Sequence, residues 1–148
     1  MKNILYIVVI AFIALTACKN QPTPEEVALK AQIETYDTLK TEAMEVHDEI
    51  MPKMGELMEL RGDLTANESE SMSKEIYTAA EDLKASHDAM MSWMKDYSEK
   101  FPYESTTPET KEAMDKKLPL LVQEVKEIKD LKEQTLKAIE MAQELLSK

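Results

Sequence analysis

Between Thr23 and Leu64 the chain reads TPEEVALKAQIETYDTLKTEAMEVHDEIMPKMGELMELRGDL, and the spacing of its apolar residues decides the fold class. Leu29, Ile33, Tyr36, Lys40, Ala43, His47, Ile50, Met54, Leu57, Arg61 and Leu64 follow one another at alternating steps of four and three, which lines side chains along one face of an α-helix. Lys40, His47 and Arg61 are polar interruptions of that seam. Thr23, Pro24 and Glu26 supply the chemistry of a helix start: a hydroxyl that accepts from a free amide, a residue with no amide to satisfy, and a carboxylate that reaches back. A helix over about 24–64 is predicted.

The same period continues downstream. Asn67 with Glu70 can cap a second helix over about 68–101, with Met72, Ile76, Ala80, Leu83, His87, Met90, Met94, Tyr97 and Phe101 as its seam and Pro102 as its end. Thr107, Pro108 and Glu109 open a third over about 108–147, with Met114, Leu118, Leu121, Val125, Ile128, Ile139, Ala142 and Leu146 on one stripe, interrupted by Lys132 and Thr135. The loops near 65 and 104 are short, so neighbouring helices must run antiparallel. Residues 24–148 therefore read as one all-α domain, an antiparallel up-down-up three-helix bundle with coiled-coil character. Its core is thin, and Leu39, Val46 and Leu60 flank the seam, where they can cover the third helix or receive a partner. Pro52 and Pro119 each remove one amide inside a helix and predict kinks.

Upstream lies a segment of another kind. Lys2 precedes an almost wholly apolar stretch from Ile4 to Leu15, and Leu15-Thr16-Ala17-Cys18 follows, the pattern of an export signal with a small-residue cleavage site. About 20 helical residues are needed to span a bilayer, so residues 1–17 read as a cleaved signal peptide and not as a permanent span. The last four residues resemble the bacterial lipobox, and the chain's single Cys occupies the position that motif acylates. The resemblance implies that Cys18 carries acyl chains and tethers the protein; two or three chains anchor stably where one does not. Residues 18–23 then form the lipidated Cys and a short linker. Lys19, rather than Asp, follows the Cys, which points to the outer membrane, on its periplasmic face rather than the cell surface.

Composition removes several function classes. The chain has 148 residues, 18 basic and 29 acidic side chains and a net charge of −11; Lys2 is the one charge lost with the signal, which takes the mature side chains to −12. No run of Lys or Arg can neutralise a nucleic-acid backbone. A lone Cys makes no internal disulfide. Ser86-His87-Asp88 resembles a triad only in print, because consecutive helical side chains point about 100° apart. There is no His-Glu-x-x-His for zinc, and Met44 and Lys84 stand where a ferritin-like Glu would precede each His. Haem between His47 and His87 lacks an attachment motif and an aromatic wall. No enzyme is expected, and no cofactor beyond the acyl chains.

One motif recurs. The segments beginning at His47 and His87 share the frame H-D-x-x-M-x-x-M and contain both histidines of the chain. Met44, His47, Met51, Met54 and Met58 form a stripe on the first helix, and His87, Met90 and Met94 repeat it on the second. With a turn centred near 65.5, His87 faces Met44 and the two imidazoles are offset by only about 4.5 Å along the axis. Imidazole nitrogen with thioether sulfur suits Cu(I), so His47, His87, Met44, Met51 and Met90 are the candidate metal ligands. Methionine is also a common filler of irregular cores, and a seam histidine can simply bond a carboxylate; this bland reading carries more weight. Trp93 reads either as a core edge or as a contact for another protein.

The export signal, the H-D-E-I-M-P-K-M-G-E-L segment at 47–57 and the M-M-S-W-M segment at 90–94 resemble those of small helical lipoproteins of Bacteroidota, some of which are called viral A-type inclusion proteins. That resemblance covers most of the mature chain and brings no catalytic residue with it. Two functions follow as expectations: a lipid-anchored, non-enzymatic cell-envelope module that binds the membrane through its anchor and an unidentified protein, or a second copy of itself, through its helix faces; or a periplasmic soft-metal (copper) binding lipoprotein using the His/Met cluster.

Overall fold

The structure, a computed structural model, describes residues 21–66 and 73–147. The signal peptide, Cys18, the cap expected at Asn67–Glu70 and the seam residue Met72 lie outside the described residues. The described chain is all helical: α1 (Pro24–Ile50), α2 (Lys53–Thr65), α3 (Lys74–Lys100) and α4 (Lys111–Leu146). None of these helices is long and apolar enough to cross a membrane.

Each long helix starts on a side-chain cap. At α1 the Thr23 hydroxyl accepts from the Glu26 amide at 3.2 Å, and the Glu26 carboxylate accepts from the Thr23 amide at 2.7 Å, the reciprocal pair that satisfies two free donors. The bond to the Thr23 amide, then that to its hydroxyl, holds the Glu26 carboxyl below its ordinary range. Ser73 caps α3 and Thr110 caps α4, each accepting from the amide three residues on. Helix α4, the third expected from the sequence, thus begins at Lys111, three residues later than the sequence signals suggest. Thr107 has another use, donating from its hydroxyl to Asp37 of α1 at 2.7 Å and tying the loop down.

The two internal prolines behave differently. Pro119 lies inside α4, which runs on unbroken. At Pro52 the regular ladder stops, and the expected helix over 24–64 becomes α1 and α2. Met51 and Pro52 keep right-handed helical dihedrals, and the Met54 amide donates to the Met51 carbonyl at 3.1 Å, a tightened turn. The proline therefore interrupts hydrogen bonding without reversing the chain.

Helix α4 packs against α1, α2 and α3. Ile50, Leu57, Leu83, Met90, Met114, Leu121 and Ile128 are fully buried between them, each worth roughly 1.5–3 kcal/mol of apolar transfer. The buried face is wider than a two-residue-in-seven seam. On α3 it includes Ala79, Ser86 and Trp93 while His87 and Met94 are only half-buried; on α4 it takes in Glu124 and Leu131 while Lys132 stays at the edge. Polar pairs mark the register: Gln32 with Asp115, Glu42 with Lys129, Glu49 with Lys132 and Glu56 with Gln143 between α1–α2 and α4, and Trp93 and Lys100 of α3 with Glu124 of α4.

Gly55 and Gly62 sit on the solvent side of α2, neither has a positive φ, and a Cβ built at either meets nothing within 4 Å. Gly55→Ala and Gly62→Ala should each stabilise the fold by about 0.5–1 kcal/mol through helix propensity alone. A double variant whose thermal midpoint fails to rise would show that α2 is not helical at these positions.

Candidate functional site

The two copies of the repeated motif occupy unlike environments. His47 is half-buried; its Nδ1 lies 2.9 Å from Asp48 Oδ1, and its ring stacks on Trp93 with centroids 5.9 Å apart. His87 is more open, with Nδ1 3.5 Å from Asp88 Oδ1. Asp88 is also bonded by Lys84, and Lys84 first, then His87, holds its carboxyl below the ordinary range.

The five candidate ligands differ in exposure. Met44 is exposed, Met51 is half-buried, and Met90 is sealed in the core. Opposite His47 stands Trp93, which lies six residues, or about 9 Å of helix, beyond His87; the small offset between imidazoles expected from a turn near 65.5 is not found. The regular part of α3 begins only at Lys74, which moves the centre of the turn towards residue 70 and slides the second motif down the bundle. Among the described residues, no three His, Cys, Asp or Glu side chains are placed to hold a metal ion.

Trp93 is a core residue, 6% exposed, and heads an aromatic ladder on one stripe of α3. Trp93 stacks on Tyr97 at 4.8 Å, Tyr97 meets Phe101 at 5.2 Å, and Phe101 meets Tyr36 of α1 at 6.3 Å. These rings, more than backbone proximity, join α1 to α3. Lys117 lies over the Phe101 ring at 5.4 Å and donates to the Lys100 carbonyl at 2.7 Å, so it closes the end of α3.

Behind the ladder is a polar cluster that the sequence reading did not identify. Glu124 is 1% exposed. Its Oε1 accepts from Lys100 Nζ at 2.6 Å, its Oε2 has no partner, and its backbone carbonyl accepts from the Trp93 indole at 3.3 Å. The hydrogen bond to Glu124 raises the pKa of Lys100. The Tyr97 hydroxyl is buried and unpartnered as well, and burial, followed by the proximity of Tyr36 and Glu124, pushes it up to about 12. The available signal was Glu124's position three residues after Leu121 and four before Ile128, both on the apolar stripe. Ser86 and Thr135 add two buried hydroxyls without partners. Ser86 lies in the core while Asp88 is exposed, so the serine, histidine and aspartate do not assemble.

No family model matches the chain, and no curated protein or solved structure matches it either.

Two measurements probe the buried cluster. Lys100→Met leaves the Glu124 carboxylate without its counter-charge and should cost about 3 kcal/mol at pH 7, and Glu124→Gln added to it should recover much of that loss; equal stability of all three proteins would remove the pair from the fold's energetics. For Tyr97, the unfolded phenol ionises near pH 10 and the native one near 12. The native state therefore binds more protons across that window, and its stability, fully present below pH 10, falls as pH rises through it. Tyr97→Phe should make the alkaline loss shallower and leave stability at pH 7 unchanged or about 1 kcal/mol higher; an unchanged alkaline slope would contradict the assignment.

Proposed function

We propose that this chain is a lipid-anchored, non-enzymatic module of the bacterial cell envelope, held at the membrane through Cys18 and presenting a helical rod for protein contact. The observation that carries the reading is the export signal ending at Leu15-Thr16-Ala17-Cys18, with the chain's single Cys at the acylated position. The start of α1 supports it: the Thr23 capping box starts the first helix at Pro24, six residues after Cys18. At roughly 3.3–3.6 Å per extended residue the linker spans at most about 20 Å, so the bundle stands close to its anchor.

The rod is taken as an up-down-up bundle with coiled-coil character. In support, the partners joining α1–α2 to α4 rise together from Gln32–Asp115 to Glu56–Gln143, whereas Tyr36–Phe101 and His47–Trp93 rise on one helix as they fall on the other. The 36 residues of α4 measure about 54 Å, which suits a spacer or adaptor. The polar groups of the core, Glu124 and Tyr97 among them, lie behind packed rings and are read as structural. Lys19 after the Cys favours the outer membrane, periplasmic side.

Cys18→Ser should abolish acylation and move the protein from the membrane to the soluble fraction. Fractionation with mass measurement of the amino-terminal peptide decides; an unmodified Cys18 in the mature wild-type chain would overturn the proposal.

A further inference from the structure

His47 is the one candidate ligand whose surroundings prepare it for a metal. With Asp48 Oδ1 2.9 Å from Nδ1, a neutral imidazole places its proton on Nδ1 and leaves the Nε2 lone pair free, the arrangement in which an outer carboxylate orients a ligating histidine. Asp48 is itself solvent-exposed, its side chain retaining 74% of its accessible surface against 14% for His47, so the carboxylate holds the imidazole from the solvent side.

Met51 lies one turn on from His47. The Met51 amide donates to the His47 carbonyl at 2.8 Å, so helical geometry persists to this residue despite Pro52. Side chains on a helix lean towards its N-terminus, which carries the Met51 thioether back towards the imidazole as an (i, i+4) neighbour. Met44 is three residues earlier, so the same lean carries it away from His47; it is also exposed.

The facing helix supplies the third donor. Trp93 stacks on His47, and Phe101 meets Tyr36, so the turn of α3 around residues 90–94 stands opposite His47. Met94 is on the same stripe as Phe101, two turns before it, and is half-buried against the core. Met90 is wholly enclosed, and His87 is about 9 Å of helix away from Trp93. His47, Met51 and Met94 are each partly buried, at the rim of the core rather than sealed inside it.

We propose that His47 Nε2 and the thioethers of Met51 and Met94 bind one Cu(I) ion at the α1–α3 seam. One imidazole and two uncharged sulfurs are soft donors, which select Cu(I) over Mg²⁺, Ca²⁺ or Mn²⁺. The site does not depend on the lipid anchor: Cys18→Ser alters membrane attachment without touching it, so the two proposals fail separately.

The test is anaerobic titration of the full chain in detergent with Cu(I) against a competing chelator, reading the emission of Trp93, the sole tryptophan and a direct neighbour of His47. Expected is one equivalent bound, with a Trp93 emission change that saturates at the same ratio. His47→Gln should abolish both, and Met51→Leu and Met94→Leu should each weaken binding at least about tenfold. Asp48→Asn, a surface change that cannot disturb the core, should weaken it about tenfold through the imidazole. His87→Gln and Met44→Leu should leave affinity within about twofold. No saturable binding in the wild type, binding without any Trp93 response, or equal loss on His87→Gln and His47→Gln would each overturn the assignment.

Discussion

Helix α4 must cover neighbours on two sides at once, and most features of the structure follow from that demand. It packs against α1, α2 and α3, so its buried surface cannot be a narrow stripe; Met114, Leu121, Val125, Ile128, Leu131, Ala138, Ile139 and Ala142 all turn inward. That broad face carries two polar residues, Glu124 and Thr135, into the interior with the rest. The exposed ion pairs along the flanks, such as Lys132 with Glu49, set register and add little energy in water. Apolar burial along α4 supplies the cohesion.

The enclosed carboxylate constrains how the top of the bundle is built. Glu124 holds Lys100 at the last turn of α3 and receives the Trp93 indole on its carbonyl, so both ends of the aromatic ladder are fixed against α4. A buried charge with a half-exposed partner gains little over an apolar pair of the same shape. What it does supply is position: Trp93 can face α1 only while its indole is satisfied on α4, and the stacking of Trp93 on His47 depends on that orientation.

Helical period and capping chemistry make the helices legible in the sequence. The apolar face of α1 contains Tyr36, Ala43 and Ile50 as the spacing demands, and Thr23 caps where its neighbours suggest. The α4 start is harder to read because Thr107-Pro108-Glu109 and Thr110 both carry cap chemistry, and only the tertiary bond from Thr107 to Asp37 distinguishes them. Facing positions across α1 and α3 were less legible still. A shift of the turn centre by a few residues slides one helix past the other, and that shift separated His87 from His47 while bringing Trp93 into place. Burial of Glu124, Ser86 and Trp93 is hidden for a related reason: a heptad seam describes packing against one partner, whereas packing on two sides widens the face to positions that a strict seam assigns to its edge.

The asymmetry between the two motif copies has a physical origin in these same constraints. Both His-Asp pairs are identical in sequence, yet only the first lies against a ring fixed from behind by α4. Beside His87 the buried α3 residues are Leu83, Ser86 and Met90, and among the described residues no aromatic ring stacks on its imidazole. A repeated motif is therefore not a repeated site. The neighbour that orients a side chain comes from another helix, and the register of that helix is determined by the burial of α4's wide face rather than by the motif itself.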